Sequence, residues 1–405
     1  MNTSRSRVVA TVLVTVLALT GCSKSGGKKT DGNKPDAGPA VDLTVTPADN
    51  ATNVAVSEEI GLKVGRGTIS EVKLTDAAGA AVKGEMRTDG STWVPASPLK
   101  YTTVYTVNLT AKPDGAGDPV TKTSKFTTMD RPGNRMEAQL FLANGKAYGQ
   151  AMPIVVEFKG GVKKANRATV ERRLFVKSEP PQPGVWSWDS DIQAEYRPKD
   201  YWQPGTKLSV RLGLGGLPIG DGRYGQIDIT VNASIDTVRR SIEVDNNIKQ
   251  LIAMQDGQVA KTMPVSLGKP SKPSFSGTFV IIERLEATVF DSSTYGTPVN
   301  SADGYRTAVK HAERLTWDGQ FIHGAPWSEG SQGRTNVSHG CVNISAANGQ
   351  WLYSWTRVGD PVVIRNTETT VGVGNGWTAW NQTWEQHLAG SALAQPGATP
   401  SPSTS

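Results

Sequence analysis

Short apolar segments separated by turn residues constrain the fold of this chain more than any other feature of its sequence. In residues 60–64 (IGLKV) and 103–109 (TVYTVNL) apolar and polar residues alternate, and residues 76–79 (DAAG) form a turn signal between such runs. A period of two is typical of strands with one buried face, and aspartate and glycine favour tight turns. The pattern extends over residues 41–129, a length typical of one β-sandwich. We therefore predict a mainly β fold that begins with a sandwich.

A second segment, residues 130–234, repeats this pattern. It begins with a short linker at residues 130–133 (DRPG) and contains strand candidates at residues 154–158, 207–212 and 226–231. Neither segment has the Cys, Trp, Cys spacing of antibody domains, so "immunoglobulin-like" describes only their predicted architecture. Neither has a convergent set of catalytic side chains. We predict that both sandwiches act as spacers.

Residues 235–366 form a third segment with a different composition. Three of the four histidines and one of the two cysteines lie in it. Asp256-Gly257, between two apolar runs, predicts a β-hairpin, and Ser345 is placed to cap a short helix over residues 346–357. We assign the chemistry of the chain to this β-rich domain.

The C-terminal residues divide into a tryptophan-rich segment and a tail. In residues 367–390, Trp377, Trp380 and Trp384 have the spacing of one helix face. Three exposed tryptophans are unusual on a soluble surface, so we expect them to pack onto the preceding domains. Residues 391–405 are rich in Ala, Pro, Ser and Thr, which predicts a disordered tail.

The N-terminus has the features of an export signal. Basic residues precede an apolar run over residues 8–19 that is too short to span a bilayer, so we predict a signal peptide over residues 1–21. The residues before Cys22 resemble a bacterial lipobox, whose cysteine is diacylated and becomes the new N-terminus; the alternative is an ordinary signal peptide followed by a chance cysteine. Residues 22–40 predict a flexible tether. We expect a protein anchored by lipid at Cys22 to the extracytoplasmic face of the cell membrane.

Cys341 would then be the single free thiol of an exported protein. With two cysteines in all, a disulfide framework is excluded. An unpaired thiol outside the cytoplasm is at risk of oxidation, which favours a use for its reactivity over a buried inert cysteine. The net charge of +6 is mild and comes with no nucleic-acid motif.

Two histidines and a glycine accompany Cys341. A cysteine nucleophile needs an imidazole to take its proton, and both His323 and His339 are candidates. His339 would share a strand face with Cys341 if that segment were extended, whereas His323 would reach it from a neighbouring strand or loop, and spacing alone does not choose between them. Gly340 would leave its own amide and that of Cys341 free to stabilise an oxyanion. The set lacks the ligand spacing of a zinc site, so we predict no metal.

Two motifs make the chemistry specific. Residues 338–343 (SHGCVN), preceded by residues 323–327 (HGAPW), resemble the active-site signature of the L,D-transpeptidases, whose catalytic domain is of the YkuD type. Residues 291–301 and 304–307 are similar to the active-site lid of the actinobacterial branch of this family, in which two immunoglobulin-like domains precede the catalytic one. With the lipobox and the tryptophan-rich segment, the resemblance extends over nearly the whole chain.

The resemblance also implies roles for individual residues. Cys341 would be the nucleophile and His323 the general base, with its ring oriented by the carbonyl of Gly324, where close relatives often have Ser. His339 and Gly340 would complete the oxyanion wall around Cys341. The residues that the resemblance places in the substrate cleft, its lid or its supporting loop are Tyr305, Asp318, Gly319, Asn336, Tyr295, Trp327, Asn343, Ser338 and Phe290.

The implied activity is a two-step acyl transfer without a cofactor, which joins peptidoglycan stem peptides by 3–3 cross-links and releases D-Ala from a tetrapeptide donor. Carbapenems would acylate the same sulfur. The alternatives are an L,D-carboxypeptidase that uses the same thioester and a non-catalytic wall-associated lipoprotein. The turn at residues 217–222 is similar to a calcium-binding turn of one relative, but Pro218 replaces a likely acidic ligand, so we do not predict calcium.

Overall fold

The computed structural model describes residues 41–393, except for the side chain of Tyr295. The predicted signal peptide, the predicted lipidation site Cys22, the tether and residues 394–405 of the predicted tail lie outside the described residues. Within residues 41–393, none of the helices has both the length and the apolar character needed to cross a membrane.

The first eight strands form two four-stranded sheets that pack face to face. They are β1 Asp42–Thr46, β2 Ala51–Val54, β3 Ile60–Gly65, β4 Gly67–Asp76, β5 Gly84–Met86, β6 Thr92–Pro95, β7 Val104–Pro113 and β8 Val120–Thr128. The strand orders are β1-β3-β6-β5 and β2-β8-β7-β4. Ile60 and Trp93 of one sheet meet Val107, Leu109 and Phe126 of the other in a common core. Along β7, every second residue from Tyr105 to Ala111 is buried, as the alternating sequence pattern predicts.

A second sandwich follows. Its elements are β9 Arg135–Met136, β10 Ala138–Leu140, β11 Ala147–Tyr148, β12 Ile154–Phe158, α1 Lys164–Glu171, β13 Leu174–Glu179, β14 Gly184–Trp188, β15 Gln193–Pro198, β16 Lys207–Leu212, β17 Tyr224–Gly225 and β18 Ile229–Ile235. The two sheets have the orders β10-β12-β15-β14 and β11-β18-β16-β13, and β17 pairs with β9. Trp202, 1% exposed, lies in the core of this sandwich.

A partly buried group of ion pairs joins the two sandwiches. Glu59 of the first accepts hydrogen bonds from Arg87 at 2.7 Å and 2.5 Å and from Arg173 of the second at 2.7 Å. Burial alone would raise the pKa of Glu59, but hydrogen bonds from Arg87, Thr92 and Arg173 lower it to about 2. The carboxylate is therefore charged at neutral pH and compensates the charge of Arg173, whose side chain is 5% exposed.

The third domain contains two further sheets. Its elements are β19 Arg240–Asp245, β20 Gln250–Gln255, β21 Gln258–Pro264, β22 Phe275–Val280, β23 Glu283–Asp291, β24 Arg306–Arg314, β25 Phe321–Gly324, β26 Val342–Ile344, α2 Ala346–Trp355, β27 Pro361–Arg365, β28 Thr369–Thr370 and α3 Trp384–Ala389. Short 3-10 helices cover Ser292–Tyr295, Pro326–Ser328 and Ala379–Asn381. The sheets have the orders β21-β20-β19-β27-β22-β28 and β23-β24-β25-β26. Ile242 and Phe279 of the first sheet share a core with Ile322 and Val342 of the second. The predicted mainly β architecture, two sandwiches and a β-rich domain with a short helix, is confirmed.

Two local predictions in this domain are also confirmed. Asp256 and Gly257 connect β20 to β21 with φ of 49° and 80°, the left-handed conformation that a tight hairpin turn requires. The Ser345 side chain accepts a hydrogen bond from the Asn348 amide and caps α2. The helix ends at Trp355, earlier than predicted, because Thr356 is already extended with ψ of 169°.

The prediction of a single tryptophan-bearing helix is wrong. Trp377 lies in irregular backbone, Trp380 in a 3-10 helix and Trp384 at the first position of α3. Gln382 and Thr383 are extended, with ψ of 142° and 164°, so no helix runs from Trp380 to Trp384. We call residues 372–393 the C-terminal strap.

The strap packs against the second sandwich. Trp377 is 2% exposed and its ring lies 5.6 Å from that of Phe141. The Trp380 indole donates to the Ala151 carbonyl at 2.7 Å. Arg197 donates to the carbonyls of Ala379 and Gln382, at 3.1 Å and 3.0 Å. The strap therefore connects the third domain to the second sandwich through buried contacts.

Candidate active site

Cys341 and His323 are brought together by two neighbouring strands. Strands β25 and β26 pair in parallel, with Ile322 opposite Val342 and His323 opposite Asn343. Cys341 directly precedes β26, and its side chain packs in one cluster with Phe290 and Phe321. The His323 ring meets the ring of Phe290 edge to face at 5.1 Å. The thiol and the imidazole thus lie on the same face of the sheet, on adjacent strands.

The Cys341 thiol is buried and protonated. Its side chain is 9% exposed, and the Sγ–H group donates to the Gly319 carbonyl at 3.6 Å. Burial raises the pKa of the thiol to about 12, and a hydrogen bond from the backbone of Phe321 opposes this shift in part. At neutral pH the sulfur is therefore a thiol, and a base would have to take its proton before or during any nucleophilic attack.

His323 is a neutral base in a fixed orientation. Because a carbonyl oxygen only accepts, the 3.1 Å contact between Nδ1 and the Gly324 carbonyl assigns the ring proton to Nδ1 and leaves Nε2 as the acceptor. Burial lowers the pKa of His323 to about 4, although the bond to Gly324 favours the charged form. The carbonyl contact predicted for Gly324 is therefore present, and glycine provides it without a side chain.

The expectation that His339 shares a strand face with Cys341 is wrong. Residues 338–341 form a bend in which Gly340 has φ of 123°, so the alternation of a strand does not apply. The His339 ring instead lies 3.2 Å from Lys269 Nζ and 5.2 Å from the ring of Tyr305. Partial burial and the charge of Lys269 lower the pKa of His339.

The expectation of a free Gly340 amide is also wrong. The Gly340 N–H donates to Ser338 Oγ at 3.1 Å, and Ser338 Oγ–H donates to the Cys341 carbonyl at 2.6 Å. The Gly340 carbonyl accepts from Ser274 Oγ at 2.7 Å. These bonds fix the bend before Cys341, so Ser338 supports the backbone at this point. A role of Gly340 in oxyanion binding would require the bond to Ser338 to open.

A cavity of about 450 Å³ lies beside the bend. Tyr305, Asp318, Gly319, His339 and Gly340 line it, all of them predicted site residues. Two cavities of about 750 Å³ and 530 Å³ occur elsewhere, but neither is lined by cysteine or histidine. We assign this smallest of the three cavities to the site because it is lined by Gly319, whose carbonyl accepts from the thiol, and by Gly340, which precedes Cys341.

The lid connects β23 to β24. It begins with the 3-10 helix Ser292–Tyr295, which is capped by Asp291, whose side chain accepts from the Ser293 amide at 2.9 Å. The Tyr305 amide donates to Ser292 Oγ at 3.0 Å, so the two ends of the lid are tied together. Asp303 of the lid also lines the cavity and pairs with Lys269 at 2.9 Å. The lid thus closes one side of the cavity.

Comparison with known proteins identifies the family. The profile of the "L,D-transpeptidase catalytic domain" matches residues 239–364, and that of a "Bacterial Ig domain" matches residues 51–218, across both sandwiches. L,D-transpeptidase 2 of Mycobacterium tuberculosis is 34% identical over 355 residues, 87% of this chain and 85% of the relative. The chain belongs to the L,D-transpeptidase family.

Further members of the family are similar. L,D-transpeptidase 5 of Mycobacterium tuberculosis is 33% identical over 373 residues, 89% of this chain and 79% of the relative. A solved L,D-transpeptidase in complex with imipenem is 33% identical and covers 58% of this chain and 100% of its own, with a TM-score of 0.49.

The remaining predicted site residues differ in their exposure and in their hydrogen bonds. Trp327 is 57% exposed, and its ring lies 6.0 Å from that of His323. Asn343 is buried and donates to Ser328 Oγ at 3.2 Å, whereas its carbonyl oxygen has no partner in the part of the chain that the structure describes. Asn336 donates to Asn246 and accepts from the Leu267 amide, at 2.8 Å and 3.1 Å. Their predicted roles in substrate binding stay predictions.

The sequence analysis missed several residues around the site. Ser274 and Gln320 bond to its backbone, and Lys269 and Asp303 form an ion pair beside the cavity. None of them lies in a motif with Cys341, and Lys269 is remote from it in sequence, so only the tertiary fold reveals them. Within residues 41–393 no group of three or more His, Cys, Asp or Glu side chains is placed to hold a metal ion.

Proposed function

We propose that the chain is a peptidoglycan L,D-transpeptidase that forms 3–3 cross-links through a thioester on Cys341. The observation that carries the proposal is that a buried thiol and a buried imidazole, whose Nδ1–H is fixed by the Gly324 carbonyl, lie on the same face of adjacent strands. Nucleophilic acyl transfer needs these two groups and no cofactor. Membership of the L,D-transpeptidase family supports the same reaction class.

In the first step, the proton of the Cys341 thiol moves to His323 Nε2 while the sulfur attacks the carbonyl at the L-centre of the third residue of a donor tetrapeptide. The tetrahedral intermediate collapses by breaking the C–N bond to D-Ala. His323 returns the proton to the leaving amine, and a thioester remains on Cys341. Because both groups are neutral at the start, no net charge has to be buried before the substrate binds.

In the second step, the side-chain amine of the third residue of an acceptor stem attacks the thioester. His323 takes a proton from the amine, the C–S bond breaks, and the thiol is regenerated by that proton. The products are the 3–3 cross-linked dimer and the resting enzyme. Attack by water instead of the amine would give a tripeptide, the product of an L,D-carboxypeptidase.

The test is incubation of residues 41–405 with purified disaccharide-tetrapeptide, followed by chromatography and mass spectrometry. We expect a dimer that lacks one D-Ala, and no product from the Cys341→Ala variant. A tripeptide without dimer would replace transpeptidation by the carboxypeptidase activity. If wild type and Cys341→Ala gave the same unchanged substrate, Cys341 would have no catalytic role in this reaction.

We also propose that carbapenems acylate Cys341. Opening of the β-lactam ring by a thiol is the same acyl transfer, with the ring nitrogen as the leaving group that stays attached. We expect intact-mass analysis to show one adduct per chain on the wild type. An adduct of equal yield on Cys341→Ala would place the reaction at another residue.

We further propose a lipid anchor at Cys22. The residues before Cys22 have the order of a lipobox, and the tether at residues 22–40 would separate the membrane from the first sandwich. We expect Cys22→Ser to abolish labelling with a radioactive fatty acid and to release the protein from the membrane fraction. Labelling that persists in Cys22→Ser would refute the anchor.

A further inference from the structure

The surroundings of the Cys341 sulfur are set largely by one turn, residues 316–320, which we call the thiol turn. Its Gly319 carbonyl accepts the Sγ–H group at 3.6 Å, and the backbone of Phe321, the next residue, bonds to the sulfur. The carboxylate of Asp318 opposes ionisation of the thiol. A displacement of this turn would therefore change both the orientation and the acidity of the nucleophile.

The inner side of the thiol turn is fixed by its own side chains. Thr316 Oγ1 donates to Asp318 Oδ1 at 2.6 Å and accepts from the Gln320 amide at 2.8 Å. Gln320 Oε1 accepts from the Phe275 amide at 2.7 Å. These bonds stabilise the shape of the turn, and its other side is contacted by a different part of the chain.

The C-terminal strap covers that outer side. The Asp318 amide donates to Asn375 Oδ1 at 3.2 Å. Gly376 has φ of 113°, and a Cβ atom there would lie 2.8 Å from the Leu315 carbonyl oxygen and 3.4 Å from Thr316 Cα. Only glycine combines this conformation with this approach, so the strap backbone lies directly against the start of the turn.

Three aromatic rings extend the contact to the second sandwich. Trp317 of the thiol turn lies 6.4 Å from Trp377 of the strap and 6.4 Å from Phe141 of the sandwich, and Trp377 and Phe141 are 5.6 Å apart. Both contacts of Trp377 are edge to face, an arrangement that stabilises one relative orientation of the rings.

The strap itself is anchored next to these rings. The Ala379 amide donates to Glu195 at 2.9 Å, and Arg197 donates to the Ala379 carbonyl at 3.1 Å. Both side chains belong to β15 of the second sandwich and are buried. Hydrogen bonds to the second sandwich therefore fix the strap next to the residues that contact the thiol turn.

We propose that Asn375, Trp377 and Phe141 are positioning residues for Cys341, and that the second sandwich and the strap together hold the thiol turn in the geometry required for acyl transfer. None of the three touches the sulfur; they act through Trp317, Asp318 and the Gly319 carbonyl. The second sandwich is then part of the catalytic apparatus as well as a spacer. The inference rests on the proposed role of Cys341 as nucleophile.

The test uses residues 41–405, which hold every sheet described above, and the variants Asn375→Ala and Phe141→Leu. We expect each to lower the second-order rate constant of carbapenem acylation about fivefold to tenfold, the equivalent of one lost hydrogen bond or ring contact. We also expect the pH midpoint of Cys341 alkylation by iodoacetamide to move to lower pH, because the Gly319 carbonyl and the Asp318 carboxylate oppose the thiolate and would retreat from it. A variant that is merely less stable would keep the midpoint of the wild type.

Thr383→Ala is the matched control. It removes the hydrogen bond from the Gln386 amide to Thr383 Oγ1, which caps α3 in the same strap, away from the thiol turn. Its acylation rate and alkylation midpoint should equal those of the wild type, while Tm reports the stability of every variant. Wild-type rates and midpoint in both Asn375→Ala and Phe141→Leu would overturn the proposal, as would an equal loss in Thr383→Ala.

The two readouts separate this inference from the proposed function. Alkylation does not depend on an acyl donor, so it tests the positioning of the thiol even if carbapenems fail to react with the wild type. Failure of the wild type to acylate would refute the proposed reaction with carbapenems, whereas an unchanged alkylation midpoint in the variants would refute positioning.

Discussion

Replacement of His323 by asparagine tests how the buried thiol of Cys341 loses its proton. The asparagine amide retains a donor near the position of Nδ1, so the bond to the Gly324 carbonyl can be kept while the acceptor at Nε2 is lost. In the wild type the base is present at every pH well above about 4, the pKa to which burial lowers His323. In His323→Asn the reaction depends on thiolate that forms without a protein base.

The size of the effect follows from the acidity of the thiol. With the pKa of Cys341 raised to about 12 by burial, about one molecule in 10⁵ is a thiolate at pH 7. General bases typically contribute about 10²- to 10⁴-fold. We expect His323→Asn to lower the acylation rate constant about 10³-fold at pH 7. Its rate should then rise about tenfold per pH unit up to pH 10, whereas the wild-type rate stays level from about pH 6 to pH 9.

The assay is stopped-flow acylation by a carbapenem over this pH range, with the adduct verified by intact mass and folding verified by circular dichroism. A level pH profile in His323→Asn would show that another base acts. A wild-type profile that rises with a midpoint near 6.5, the ordinary pKa of histidine, would contradict the buried neutral imidazole. Either result would refute the reasoning from burial.

Three further substitutions test other parts of the structure. Ser338→Ala should lower kcat about tenfold with little change in KM, because two hydrogen bonds that fix the bend before Cys341 are lost; an unchanged kcat in steady-state kinetics would count against this role. Glu313→Gln should raise the free energy of unfolding by up to about 3 kcal/mol at pH 8 and by much less at pH 4. Burial raises the pKa of Glu313 to about 7, so the native protein loses stability as the pH rises from the pKa of the unfolded state towards 7, and glutamine removes this loss. Urea unfolding at both pH values measures the difference. Glu59→Gln should lower the free energy of unfolding by about 3 kcal/mol at pH 7 and by less at pH 3. The pKa of Glu59 is lowered to about 2, so the stabilisation by its carboxylate is lost as the pH falls towards that value. An equal loss of stability at both pH values would contradict the lowered pKa.

The sequence predicted those parts of the fold that depend on local chemistry. Alternation identified strands such as β7, Asp256-Gly257 identified the hairpin, and Ser345 identified the start of α2. The prediction of one helix from the tryptophan spacing was wrong, because side-chain periodicity does not report the conformation of the backbone between the tryptophans. The extended backbone at Gln382 and Thr383 interrupts the helix, and Trp377, the one buried ring of the three, packs against Phe141 of a different domain.

The site could be predicted as a set of residues but not as an arrangement. The motif selected His323, His339 and Cys341, and spacing left the choice of base open. The parallel pairing of β25 with β26 favours His323 because it brings this residue to the same sheet face as Cys341, and such pairing joins residues that are remote in sequence. The amide of Gly340 was expected to be free because a glycine lacks a side chain, yet the hydroxyl of Ser338 accepts its hydrogen bond. Local sequence indicates which donors exist, whereas only the fold determines their partners.

For the exported protein that we propose, the buried neutral thiol of Cys341 would also explain how a free thiol persists outside the cytoplasm. Oxidants and alkylating agents react with the thiolate, so a thiol whose pKa burial raises to about 12 reacts with them slowly. An acyl donor bound beside His323 differs, because its carbonyl carbon accepts the sulfur as the imidazole takes the proton. Burial therefore lowers the reactivity of Cys341 towards small electrophiles more than towards a bound substrate. The same burial makes the reaction depend on the position of Nε2 and of the Gly319 carbonyl, which is why contacts as distant as Phe141 matter to the chemistry.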